Sequence, residues 1–136
     1  VYISVKCDFA MGGEIILGAR EMRLIRRLVR DVQFRATPPQ RTFDMWEEVC
    51  EGEDIYIMPF RETADITFDS TIVYEPCVFH HYLTPLFHSM PKQNGHYSQM
   101  SHYHDVLYQF YNISKEEIPV DSVLREFIGE EERKPR

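Results

Sequence analysis

From Ala19 to Phe34 the apolar and charged positions separate cleanly on a 3.6-residue period. Leu24, Ile25, Leu28, Val29 and Val32 fall on one face, while Arg23, Arg26, Arg27 and Arg30, at i, i+3, i+4 and i+7, fall on the other. The pattern predicts an amphipathic helix over 19–35, stopped by Pro38 and Pro39, which cannot continue it. Upstream, VYISV (1–5) reads as a strand, and Gly12 and Gly13 mark a turn before a short apolar run.

Downstream the signals are shorter. A second helix is expected over 42–49 with Thr42 as its cap, then an acidic turn around Gly52 and a strand-like run at 55–60 (IYIMPF). Residues 64–75 (ADITFDSTIVYE) read as a strand, ended at Pro76, where the chain breaks or a helix begins. Pro91, Gly95 and polar neighbours predict a loop over 88–103. Helices are expected over 104–112 and 121–129, the latter capped by Asp121 or Ser122 and ended at Gly129, with EEERKPR as a solvated tail. Strands alternating with helices predict an α/β layer structure, although three strand candidates are few for a complete doubly wound domain.

Composition narrows the function classes. A chain of 136 residues with 43% hydrophobic content is one globular domain's worth. It has no apolar run of the roughly 20 residues a membrane span needs, and Lys6 and Asp8 near the start do not suit a signal peptide. Cys7, Cys50 and Cys77 are odd in number and lack metal or redox spacing, which predicts free thiols and a cytoplasmic or other reducing intracellular compartment. The chain begins at Val1 rather than Met, as a fragment or processed product would.

Net charge is −7, yet residues 20–41 hold seven arginines against Glu21 and Asp31, a local +5 in a chain whose remainder is −12. Overall acidity argues against broad nucleic-acid binding and for a small anion at the positive segment. A face with mixed charges would read as a solvated surface. A face of arginines alone offers planar forks that grip phosphate or carboxylate through two bonds, which lysine cannot do. Gly13 and Gly18 have P-loop spacing, but Ala19 and Arg20 stand where a P-loop needs Lys and Ser or Thr, so that motif is rejected. His80, His81, His88, His96, His102 and His104 form no zinc pattern and read as loop or surface residues. The acids Glu47, Glu48, Glu51, Glu53 and Asp54 read as a solvated turn, and the aromatic residues near Tyr103–Tyr111 as packing, without an RNA-stacking pattern.

The run RLIRRLVRDVQFR (23–35) resembles the lid helix of the uridine kinase and phosphoribulokinase family of P-loop kinases. MW-x-x-V-x-x-GE, I-x-P-F and AD-x-x-F-x-S-x-x-x-YE, between Met45 and Glu75, and VDSVLREFIG (120–129) are similar to a longer branch of that family, whose kinase follows a threonyl-tRNA synthetase-like region. The resemblance covers most of residues 1–129, weakly at 88–103. It implies the C-terminal part of a kinase-like parallel sheet with lid helix in residues 1–87, a loop over 88–103 and a C-terminal helical segment over 104–136. The family's P-loop, magnesium ligands and catalytic aspartate would precede Val1, so the main binding groups for the implied cofactors, ATP and Mg2+, lie outside the chain.

By the same resemblance Arg30 and Arg35 are catalytic residues closing on the ATP phosphates, Arg26 joins them in phosphate binding, and Arg27 approaches the nucleoside substrate. Ala36 and Thr37 stand where the family often has glycine and, in uridine kinases, a further arginine, which departs from a uridine-specific pattern. The implied function is phosphate transfer from ATP to a nucleoside or similar hydroxyl acceptor when the chain is combined with a P-loop half. The implied partners are nucleotide, nucleoside and that missing half or another protein. The alternative is a catalytically inactive, kinase-like interaction subunit of a larger assembly.

Overall fold

The computed structural model describes residues 1–129. It is a mixed α/β chain in which helices predominate. Strand β1 (Tyr2–Ser4) pairs in parallel with β4 (Thr67–Asp69), in the register Tyr2↔Thr67, Ile3↔Phe68 and Ser4↔Asp69. Strands β2 (Phe9–Met11) and β3 (Glu14–Leu17) form a separate antiparallel hairpin. Its two-residue loop is the predicted Gly12-Gly13 turn, with φ of 61° and 84°, the left-handed geometry that matches the twist of a tight hairpin. A Cβ on Gly13 would meet nothing within 4 Å, so Gly13→Ala should cost only the conformational term, about 1–2 kcal/mol, measurable by urea unfolding.

Helix α1 (Ala19–Arg35) is the predicted one and forms the centre of the molecule. Its first amides are covered: Gly18 N–H donates to Glu21 Oε2 at 2.7 Å and Ala19 N–H to Asp8 Oδ1 at 2.8 Å. Ala36, in the left-handed conformation, ends it. Met22, Leu24, Ile25, Leu28 and Val29 are buried against Val78, Phe79 and Leu83 of α3 (Glu75–Ser89), Met100, Tyr103 and Leu107 of α4 (Tyr97–Leu107), and Leu124 and Ile128 around α5 (Arg125–Ile128). Arg125 is buried and donates to the carbonyls of Lys115, Ile118 and Pro119, which holds the loop before α5 in place.

Helix α2 (Pro39–Tyr56) corrects three expectations at once. It starts at Pro39, a residue suited to a helix's first position, and Thr42 lies inside it, donating its hydroxyl to Asp31 Oδ2 at 3.2 Å instead of capping. The expected acidic turn at 51–54 is helical. Arg20 and Arg23 of α1 reach across to Asp54 and Glu53, so partners from another element neutralise the acidic run that read as a turn. The expected strand at 55–60 is the end of α2 and a 3-10 turn, Met58–Phe60.

The expected strand at 64–75 shrinks to three residues, and Pro76 sits in the first turn of α3. The expected loop at 88–103 is a helix from Tyr97. Met100, Tyr103, Val106 and Leu107 supply a buried face there, and His96 stacks on Phe43 and bonds Asp44 at 2.7 Å. That helix ends at Leu107, not 112, and the expected helix at 121–129 is a single turn with neither Asp121 nor Ser122 as its N-cap. Gly129, at φ 86°, ends it as predicted. The expected solvated tail lies outside the described residues.

Candidate functional site: an arginine cleft

One face of α1, the β1 strand and the inner side of α2 enclose a cleft of about 280 Å³. Arg23, Arg26, Arg27 and Arg30 line one wall; Tyr2, Ser4 and Val5 line the floor; Trp46 and Glu53 face them from α2. The helical period places the four guanidiniums on one side over about two turns, and the β1–β4 pair holds the floor.

The arginines do not share one environment. Arg26 is buried, its Nε donating to Glu75 Oε2 at 2.5 Å and its Nη2 to Glu75 Oε1 at 2.9 Å and to the Ser70 carbonyl at 2.7 Å. Its guanidinium also lies 5.3 Å from the Phe127 ring centroid. Arg26 therefore ties α1 to the start of α3, a structural position in place of the expected phosphate contact. The reason is its angular place: it follows Met22 by four residues and precedes Val29 by three, at the margin of the apolar stripe. Arg23 pairs with Glu53, and burial, with Arg20 nearby, pushes its pKa below the usual arginine value.

The other three expected residues converge on one carboxylate. Asp31 is buried; its Oδ1 lies 3.0 Å from Arg30 and 3.4 Å from Arg35, and its Oδ2 lies 3.6 Å from Arg27 and accepts the Thr42 hydroxyl. Three guanidiniums against one carboxylate leave an excess of two positive charges, and Arg27 and Arg30 present theirs to the cleft. Arg35 is about half exposed at the rim of the cluster. Asp31 and Glu53 were counted in the sequence only as acids. The signal for Asp31 was its place inside the arginine run, four residues from both Arg27 and Arg35.

The cleft fits phosphate oxygens, because guanidinium N–H groups not engaged by Asp31 face an open volume. It does not fit a magnesium ion. Asp31 and Glu53 are already held by arginines, and among the described residues no three His, Cys, Asp or Glu come together to hold a cation.

His81, His88 and His102 are exposed, as the surface reading expected, while His80, His96 and His104 are partly buried. His80 packs edge-on to Tyr108, with ring centroids 5.4 Å apart, and its buried Nδ1 has no partner among the described residues. His104 stacks on Phe87 at 4.5 Å. Burial, then His104 and His81, pushes the His80 pKa below its ordinary 6.5. The folded chain thus resists protonation that the unfolded chain accepts, so His80 contributes stability above pH 6.5 that is lost as pH falls below it. Urea unfolding at a series of pH values should show this decline, and His80→Leu should flatten it.

The three cysteines are free thiols, and no helix among the described residues is long and apolar enough to cross a membrane. No protein-family model, curated protein or solved structure matches the chain.

Proposed function

We propose that this chain is the lid-bearing C-terminal part of an ATP-dependent nucleoside kinase of the P-loop type, which transfers phosphate to a nucleoside or similar hydroxyl when combined with a phosphate-cradling half. The observation that carries this reading is the sharing of the Asp31 carboxylate by Arg27, Arg30 and Arg35, which leaves two positive charges beside an open cleft. In the proposed mechanism Arg30 and Arg35 close on the phosphates of ATP and Arg27 approaches the acceptor. Phosphoryl transfer asks little of a protein beyond positioning and charge stabilisation, which fixed guanidiniums provide. Asp31 and Thr42 hold them in place before the ligand arrives. Mg2+ would be held by groups outside the described residues.

A second observation supports the need for another half. Parallel sheets are ordinarily covered on both faces, and two strands alone are marginal in water. Here Val1, Ile3, Ile66 and Phe68 share one face around the β1–β4 pair, and each is more than half exposed. The same face is what favours the alternative, an inactive interaction subunit that docks there.

Thermal unfolding of the complete protein that carries this chain, with and without ATP and Mg2+, separates the two. A ligand at a hundred times its Kd stabilises the native state by about 2.7 kcal/mol. The kinase reading requires such a shift in the complete protein and a far smaller one in residues 1–136 alone, whose arginine cleft supplies only part of the phosphate-binding set. Absence of a shift in the complete protein would leave the interaction subunit.

A further inference from the structure

A second hollow, of about 200 Å³, lies on the other side of Arg23 from the Asp31 cluster, where β1 gives way to Lys6. Lys6, Arg20, Arg23 and Arg61 line it. Glu53 and Asp54 answer two of these charges, through Arg23 and Arg20. Lys6 and Arg61 have no ion-pair partner among the described residues, so the hollow carries an excess of two positive charges. Glu62 and Asp65, near Arg61 in the chain, do not line the hollow, and the acids beside β1 and the start of α1 are engaged elsewhere. Asp69 is turned to the Thr71 hydroxyl, the Cys7 thiol and the backbone N–H of Lys6, contacts that hold its pKa far below the usual carboxylate range. Asp8 and Glu21 accept from the Ala19 and Gly18 N–H groups at the start of α1.

We propose that Lys6 and Arg61, backed by Arg20 and Arg23, form a second anion site that takes a phosphate monoester. A phosphate monoester carries close to two negative charges at neutral pH and offers three acceptor oxygens, which matches the excess of two and the mixture of a point cation with guanidinium forks. Along α1, Arg20 precedes Arg27 and Arg30 by seven and ten residues, so the two cationic ends lie roughly 10–15 Å apart at 1.5 Å per residue. The full site thus suits a pair of ligands, or one ligand, with two phosphate groups at that separation.

The test is titration of the chain with inorganic phosphate at constant ionic strength, followed by backbone amide NMR. The wild type should show two groups of shifted resonances, one around Lys6 and Arg61 and one around Arg27 and Arg30. Lys6→Gln/Arg61→Gln, at positions outside the core, should weaken the first group at least tenfold and leave the second unchanged. No response around Lys6 and Arg61, or an equal response in the double variant, overturns the second site. A response there without one around Arg27 and Arg30 leaves the second site standing and overturns the ATP-phosphate reading of the first.

Discussion

Glu75→Ala should be the most destabilising of the substitutions considered, by about 3–5 kcal/mol, or roughly 10–20 °C in Tm. Glu75 is fully buried and accepts two bonds from Arg26 and one from the Ile72 N–H. Its removal leaves a guanidinium inside the protein with the Ser70 carbonyl as its remaining hydrogen-bond acceptor beside the Phe127 ring, and a buried unpaired charge costs far more than the pair contributes. The asymmetry supplies its own control. Arg26→Met/Glu75→Leu removes both charges and fills the space, and should recover most of the lost stability, because desolvation of the pair largely cancels its attraction. Urea unfolding of the three proteins checks this. If the double variant were as unstable as Glu75→Ala, the pair would be holding the β4–α3 connection by geometry rather than by charge.

The second large effect concerns activity. Under the proposed kinase function, Arg30→Ala in a protein that joins this chain to a P-loop half should lower phosphate transfer from ATP by about 10²–10³-fold, the loss typical of removing one fixed donor from a developing charge. Stability should change little. Asp31 keeps Arg27, Arg35 and Thr42 when Arg30 is removed, and Arg30 itself is only partly buried. That redundancy makes the variant informative, since a fall in turnover cannot then be assigned to unfolding. A Tm within a degree or two of wild type together with unchanged turnover would remove Arg30 from the phosphate clamp. Arg26→Ala should behave in the opposite way, losing stability first, because its fork is committed to Glu75.

Much of the local architecture was legible in the residues. Helix α1 followed from an unambiguous period and the Gly12-Gly13 turn from glycine's tolerance of positive φ, while at Pro76 the structure selects the helix start from two open readings, a break or a helix. The arginines themselves, and their concentration in an acidic chain, were also plain. The elements misread were those whose conformation is settled by something distant. Residues 51–56 look like an acidic turn and a strand until Arg20 and Arg23 stand opposite them. Residues 97–103 look like a loop until Met100 and Tyr103 find the core.

The sequence by itself determined that a row of guanidiniums would lie along one helix, because side-chain direction on a helix depends only on spacing. Tertiary structure alone decided which of them were free to meet a ligand. Charge pairing acts over a few ångströms, and the carboxylates that divide the row lie at Asp31 on the same helix, at Glu53 on the next, and at Glu75, 49 residues beyond Arg26. Spacing along the chain does not reveal which carboxylate meets which arginine. Folding assigns Glu75 to Arg26 and Glu53 to Arg23, and leaves three arginines to share Asp31 at the edge of an open cleft.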